Sequence, residues 1–243
     1  MKPYYEESGI VIYHGDCLKV LPTLECCDAV VTDPPYSEYV HAHAVSGNTK
    51  GGTVRAIMRD VDFGFEHLDD ETRIFVGNEI ARLAQRWVLI FSDIENAHRW
   101  REVTLPLEYI RTGIWIKKFC TPQFTGDRPA IGAEAVPIFH KAGRKRWNGG
   151  GKPAVWEHEV VLRRQSDPRL HTTQKPLPLM SQLVSLFTDP GELILDPFMG
   201  SGTTLVACKN LGRRAIGIEI SEDYCRVAVE RLRQSILPLG AQA

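Results

Sequence analysis

The chain has 243 residues, 43% of them hydrophobic and 24% charged, with a formal net charge of −1; it can bury one substantial core, and its charge balance points to no nucleic-acid partner globally. No apolar run reaches the roughly 18 residues of a membrane span, and residues 1–7 lack the apolar stretch of a signal peptide. The six cysteines (17, 26, 27, 120, 208 and 225) contain no Cys-x-x-Cys pair, so a reduced cytoplasmic protein, one domain over 1–243, is expected, without a disulfide frame or metal site.

Residues 9–15 predict a strand with Asp16 and Cys17 at its tip, and 17–24 a short helix broken near Pro22. Residues 29–33 are a short β-branched run closed by Asp33-Pro34-Pro35-Tyr36, a buried strand that stops abruptly. The two prolines lack N–H donors and fix their own φ, which leaves a stiff backbone with free carbonyls. Asp33, the Pro34 carbonyl and the Tyr36 ring then suit a planar ring carrying an amino group. A plain Asp-Pro turn would look the same over these residues, so the reading leans on the rest of the chain.

Residues 37–70 carry Gly47, Gly51 and Gly52 close together and little periodicity, and so predict a mobile loop insertion of functional length. His41 and His43 within it have no third ligand at metal spacing and read as loop histidines. Helix and strand then alternate: helix 71–85, strand 87–91, helix 93–105, and strands 109–117 and 135–141 around the Pro/Gly-rich 119–132. Residues 141–175 hold nine Lys or Arg against three Asp or Glu, with Trp147, Trp156 and three consecutive glycines among them. Such a stretch suits a phosphate backbone, although a solvated charged loop has the same composition.

The last third is the most regular. Helix 176–188 and strand 192–196 lead through Asp196-Pro197-Phe198-Met199-Gly200-Ser201-Gly202-Thr203-Thr204 into helix 205–211, strand 214–220 and helix 223–234. Strand, Gly-x-Gly turn, helix, strand is a βαβ unit that presents backbone N–H groups at a helix N-terminus. Glu219 lies 17 residues past Gly202, a spacing at which an acid binds ribose hydroxyls. The turn has no lysine, so it is not a Walker A loop, and Leu205 replaces the third glycine of the dinucleotide fingerprint. Asp196 would repel a pyrophosphate and attract an ammonium. These features favour S-adenosylmethionine, with NAD the weaker alternative. Alternation of this kind predicts an α/β, doubly wound, mostly parallel sheet of seven strands.

Asp33-Pro34-Pro35-Tyr36, His171-Thr172-Thr173-Gln174-Lys175-Pro176 and the Asp196–Thr204 block together resemble the signature blocks of amino-methylating DNA methyltransferases. Their order is similar to the family's circularly permuted β group, and the likeness runs from Ile10 to about Leu232. The resemblance implies a Rossmann-like methyltransferase fold and transfer of methyl from S-adenosylmethionine to the N6 of a flipped adenine. Asp at position 33 favours adenine, since cytosine-N4 relatives usually carry Ser there; cytosine N4 is the alternative. It also implies the site. Asp33, Pro34, Pro35 and Tyr36 would hold the base, Gly200 and Gly202 would admit the cofactor's methionine moiety, and Asp196 would face its amino group. Glu219 would take the ribose, Asp16 the adenine amino group and Phe198 the pocket wall, with Cys17, Pro197, Ser201, Thr203 and Asp33 beside them. Thr173 and Lys175 would close the pocket, Lys175 near the cofactor carboxylate. Residues 142–170 would be a short target-recognition region. DNA is the implied partner, a homodimer is admitted, no membrane is involved, and a restriction endonuclease partner stays open. Permutation further predicts that the chain ends lie side by side.

Overall fold

The computed structural model describes residues 1–35, 68–104, 106–120, 129–161 and 174–234. Tyr36, Thr173, His41, His43, most of the 37–70 insertion and part of the 142–170 region lie outside them. In chain order the elements are β1 Tyr5–Glu7, β2 Ile10–His14, α1 Cys17–Val20, a 3-10 turn Leu21–Thr23, β3 Ala29–Thr32, α2 Asp70–Leu83, β4 Trp87–Ile90 and α3 Arg99–Val103. There follow β5 Glu108–Lys118, β6 Ala133–His140, β7 Val155–Glu159, α4 Leu177–Phe187, β8 Leu193–Asp196, α5 Thr203–Asn210, β9 Arg214–Glu219 and α6 Glu222–Gln234.

The strands form one sheet in the order β1-β2-β9-β8-β3-β4-β6-β5-β7. From β2 to β4 all neighbours are parallel, so five strand tips share one edge. β6 runs antiparallel to both β4 and β5, which returns the β5–β6 connection to that same edge. Ligands of doubly wound sheets bind outside the carboxyl ends of the strands, and here that edge holds Asp16, Asp33, Asp196 and Glu219.

Burial on both faces explains why the central strands are apolar without alternation. In β3, Val30 packs on one side with Val88, Ile90 and Leu195, under Val76 and Ile80 of α2 and Trp100 of α3. Ala29 and Val31 pack on the other with Leu89 and Ile194, under Leu183 of α4, Leu205 of α5 and Ala228 of α6. No helix among the described residues is long and apolar enough to cross a membrane.

All seven expected strands form, and two more extend the sheet at its edges. β1 pairs antiparallel with β2, and β7 pairs parallel with β5. β7 arises inside the basic stretch, and the two tryptophans there point inward, not to a phosphate backbone. Trp156 is 2% exposed, and Gly113 makes room for it: a Cβ on Gly113 would stand 2.5 Å from its ring. The Trp147 ring lies 4.8 Å from that of Phe187. Helix 93–105 shrinks to α3, because the Asp93 carboxylate accepts from the Asn96 backbone N–H at 2.7 Å and holds a turn where a helix would start. At the chain's described ends, α6 packs against β2, which pairs with β1.

Candidate active site

The tips of β2, β9 and β8 make the first half of the site. Gly15 N–H donates to the Glu219 carbonyl at 2.9 Å, joining the ends of β2 and β9. Just beyond, Asp16 caps α1 by accepting from Leu18 N–H at 2.9 Å, beside the buried Cys17. Burial and the neighbouring Asp16 push the Cys17 thiol up to about 12, so it offers no thiolate.

The glycine turn that follows β8 is held from three sides. Glu219 accepts from Gly200 N–H at 3.0 Å through one oxygen and from Ser221 N–H at 2.8 Å through the other. Arg231 on α6 donates to the Ser201 carbonyl at 2.6 Å and to the Ser201 and Thr203 hydroxyls, each at 3.0 Å. Burial draws Arg231 down to about 10, so its charge persists at neutral pH. Gly202 sits at φ +77°, and a Cβ there would stand 2.7 Å from the Ala228 Cβ, so backbone and side-chain packing both require glycine. The result is a bare turn at the N-terminus of α5 with Pro197 buried beneath it and Phe198 at its margin.

Asp196 sits at the tip of β8 and is 3% exposed. One oxygen accepts from the Thr32 hydroxyl at 2.8 Å and from Phe198 N–H at 3.2 Å, and the other accepts from the Thr204 hydroxyl at 2.6 Å. Burial pushes its carboxyl up to about 6 against those three donors. An acid raised on folding contributes stability that is fully present below its unfolded pKa, near 4, and is lost as pH rises through about 6. The shift corresponds to about 3 kcal/mol. Asp196→Asn escapes this loss. In chemical unfolding of cofactor-free protein, the variant's stability relative to the native chain should therefore rise between about pH 4 and pH 7 by up to this amount.

The second half of the site begins one strand over, where β3 ends in Asp33, the buried Pro34 and Pro35. Lys175 donates to Asp33 Oδ2 at 2.5 Å and stands 3.2 Å from Glu134 Oε2. Lys117 lies 2.7 Å from Glu134 Oε1. Burial opposes the Lys175 charge, but the carboxylates of Asp33 and Glu134 outweigh it and hold Lys175 above the usual lysine range. Lys175, which the resemblance places near a cofactor carboxylate, here pairs with the half-buried Asp33 and the buried Glu134. Its neighbour Gln174 accepts from the Ser201 hydroxyl at 3.2 Å. The two halves therefore touch through Thr32 and Asp196 and through consecutive residues 174 and 175.

The structure brings together Asp16, Cys17, Asp33, Lys175, Asp196, Gly200, Gly202 and Glu219 along one sheet edge. Glu134, Lys117 and Arg231 also belong there, although their sequence context resembles ordinary strand and helix surfaces. The only signal for Glu134 and Lys117 is their placement near the β5 and β6 ends, visible once strand register is known.

A Gly-x-Gly turn between parallel strands, an acid on the next strand tip and an acidic strand end fit an adenosine with a cationic amino-acid tail. This is the fold of an S-adenosylmethionine-dependent methyltransferase. A family model described as DNA methylase, of the N6/N4 type, matches residues 27–230. The chain belongs to the N6/N4 DNA methyltransferase family and uses S-adenosylmethionine on DNA. It is 28% identical to the type II methyltransferase M2.LlaDCHI of Lactococcus lactis subsp. cremoris over 96% of this chain and 93% of that one. Among solved structures, the M1.HpyAVI–SAM complex matches with a TM-score of 0.69 and 25% identity, over 92% of this chain and 98% of that one. The cytosine-N4-specific PvuII DNA methyltransferase shares the fold with a TM-score of 0.71 at 15% identity, over 99% and 91% of the two chains.

Proposed function

We propose that the protein methylates the exocyclic N6 of an adenine flipped out of duplex DNA. The observation that carries this reading is the Asp33 carboxylate, held by Lys175 at the end of β3 and one strand away from the glycine turn. Bound at that turn, S-adenosylmethionine supplies an electrophilic methyl group on a sulfonium. Gly200 and Gly202 admit its methionine end, Asp196 attracts its ammonium, Glu219 takes the ribose and Asp16 the adenine edge.

The residues of β3 do the rest. A base inside a duplex cannot reach them, so it is extruded at a cost of roughly a few kcal/mol. The N6 lone pair is delocalised into the ring and is a weak nucleophile. Accepting its two N–H bonds at Asp33 and the Pro34 carbonyl favours a pyramidal nitrogen and directs the lone pair toward the methyl group; as the nitrogen–carbon bond forms the sulfur–carbon bond breaks, and the amine's proton passes to Asp33 or to solvent. The family resemblance assigns the stacking ring to Tyr36, which lies outside the described residues. Rate enhancement then comes from positioning and fixed charge, with no covalent intermediate. The block order, together with the packing of α6 against β2, supports the permuted arrangement of the family.

Nucleoside mass spectrometry of plasmid DNA incubated with the protein and cofactor tests the base. N6-methyladenine is the expected product. N4-methylcytosine in its absence would transfer the same geometry to cytosine, whose amino group presents the same pair of N–H donors.

A further inference from the structure

We propose that Glu134 is a positioning residue for methyl transfer: it holds the Lys175 ammonium against Asp33 and so sets the direction of the carboxylate that receives the target amine. The inference rests on the role proposed above for Asp33.

Four charges of alternating sign line up behind the site: Lys117, Glu134, Lys175 and Asp33. The separations are 2.7 Å, 3.2 Å and 2.5 Å. Glu134 and Lys175 are each 7% exposed. The rings of Phe91 and Trp115 lie 5.0 and 6.0 Å from the Lys175 ammonium and keep water from it. Two carboxylates and two ammoniums make the row neutral, yet neutrality alone would need only Asp33 and Lys175. Burying a second pair gains little stability over apolar packing of the same volume.

What the second pair does supply is direction. Lysine carries its charge on a flexible four-carbon stem. With Asp33 as its one carboxylate, that stem could swing toward the glycine turn, where Gln174 already reaches Ser201. Glu134 stands on β6 opposite Trp115 of β5 and is anchored by Lys117 of β5. A rigid antiparallel ladder therefore fixes it. It holds the ammonium from behind, the ammonium holds one Asp33 oxygen, and the plane of the Asp33 carboxylate is set before any base arrives.

The test is single-turnover methyl transfer by full-length Glu134→Gln and Glu134→Ala proteins at saturating cofactor and DNA, with cofactor Kd and thermal midpoint measured alongside. Transfer should slow by about tenfold in the Gln variant and about a hundredfold in the Ala variant, at unchanged cofactor Kd. The alkaline limb of the rate–pH profile should move to lower pH, because Lys175 loses one of the two carboxylates that keep its proton. Glu134→Asp should restore part of the rate. Native rates and a native pH profile in a folded Gln variant would overturn the inference, as would a loss that follows cofactor Kd alone. Should the Glu134 variants fail to fold, Lys117→Met, which releases the anchor of Glu134, decides by the same two readouts. Asp33→Ala serves as the control. If it retains transfer, the role of Asp33 itself fails; if it is inactive while Glu134 variants behave as native, only the present inference does.

Discussion

Asp33→Ala is expected to lower methyl transfer by about a thousandfold, below detection in a steady-state assay, while cofactor affinity stays near native. The carboxylate is the one charged acceptor at the end of β3, and Lys175 holds it in place at 2.5 Å. Its removal leaves the Pro34 carbonyl as a single acceptor for a planar amine, so the nitrogen stays conjugated to its ring. The fold should survive, because Lys175 keeps Glu134 as a partner. Asp33→Asn keeps one acceptor oxygen and loses the charge, and should fall between the two. The assay is single-turnover transfer of labelled methyl to DNA, read beside cofactor titration. Near-native transfer by the Ala variant would refute the placement of the base at β3.

Gly202→Ala is expected to cost about 2–4 kcal/mol of stability and most of the cofactor affinity. Two separate penalties act here. The left-handed backbone, at φ +77°, disfavours any side chain, and the added methyl would stand 2.7 Å from Ala228 on α6. Moving α6 away would also loosen Arg231, which clamps Ser201 and Thr203 from that helix. The penalties can be separated: adding Ala228→Gly removes the clash, and measured against Ala228→Gly alone, which carries its own helix cost of about 1 kcal/mol, the double variant leaves the backbone cost of about 1–2 kcal/mol. Urea unfolding of the single and double variants, with cofactor titration on each, measures both. Equal stability of the Ala variant and the native chain would mean that the turn adopts another conformation.

The features that were legible in the chain are those marked by punctuation. Pro34-Pro35 stops β3, Gly200 and Gly202 open the turn into α5, and the apolar runs between them can only be buried strands. The pairing of Asp33 with Lys175 was hidden because 142 positions separate the two residues. Glu134 and Lys117 look like the solvent face of two strands until β5 and β6 are set in register. The basic stretch hides a strand for a related reason: charge dominates its composition, yet β7 is decided by where Trp156 packs. Helix α3 begins late because a single side chain, Asp93, competes for the backbone that a helical pattern would have claimed.

Gln174 and Lys175 share a peptide bond, yet one is tied to the glycine turn and the other to the carboxylate at β3. A displacement at either end is therefore carried to the other by about 3.8 Å of backbone. The protein should handle its two substrates as a linked pair: a non-reactive analogue of one should change the dissociation rate of the other.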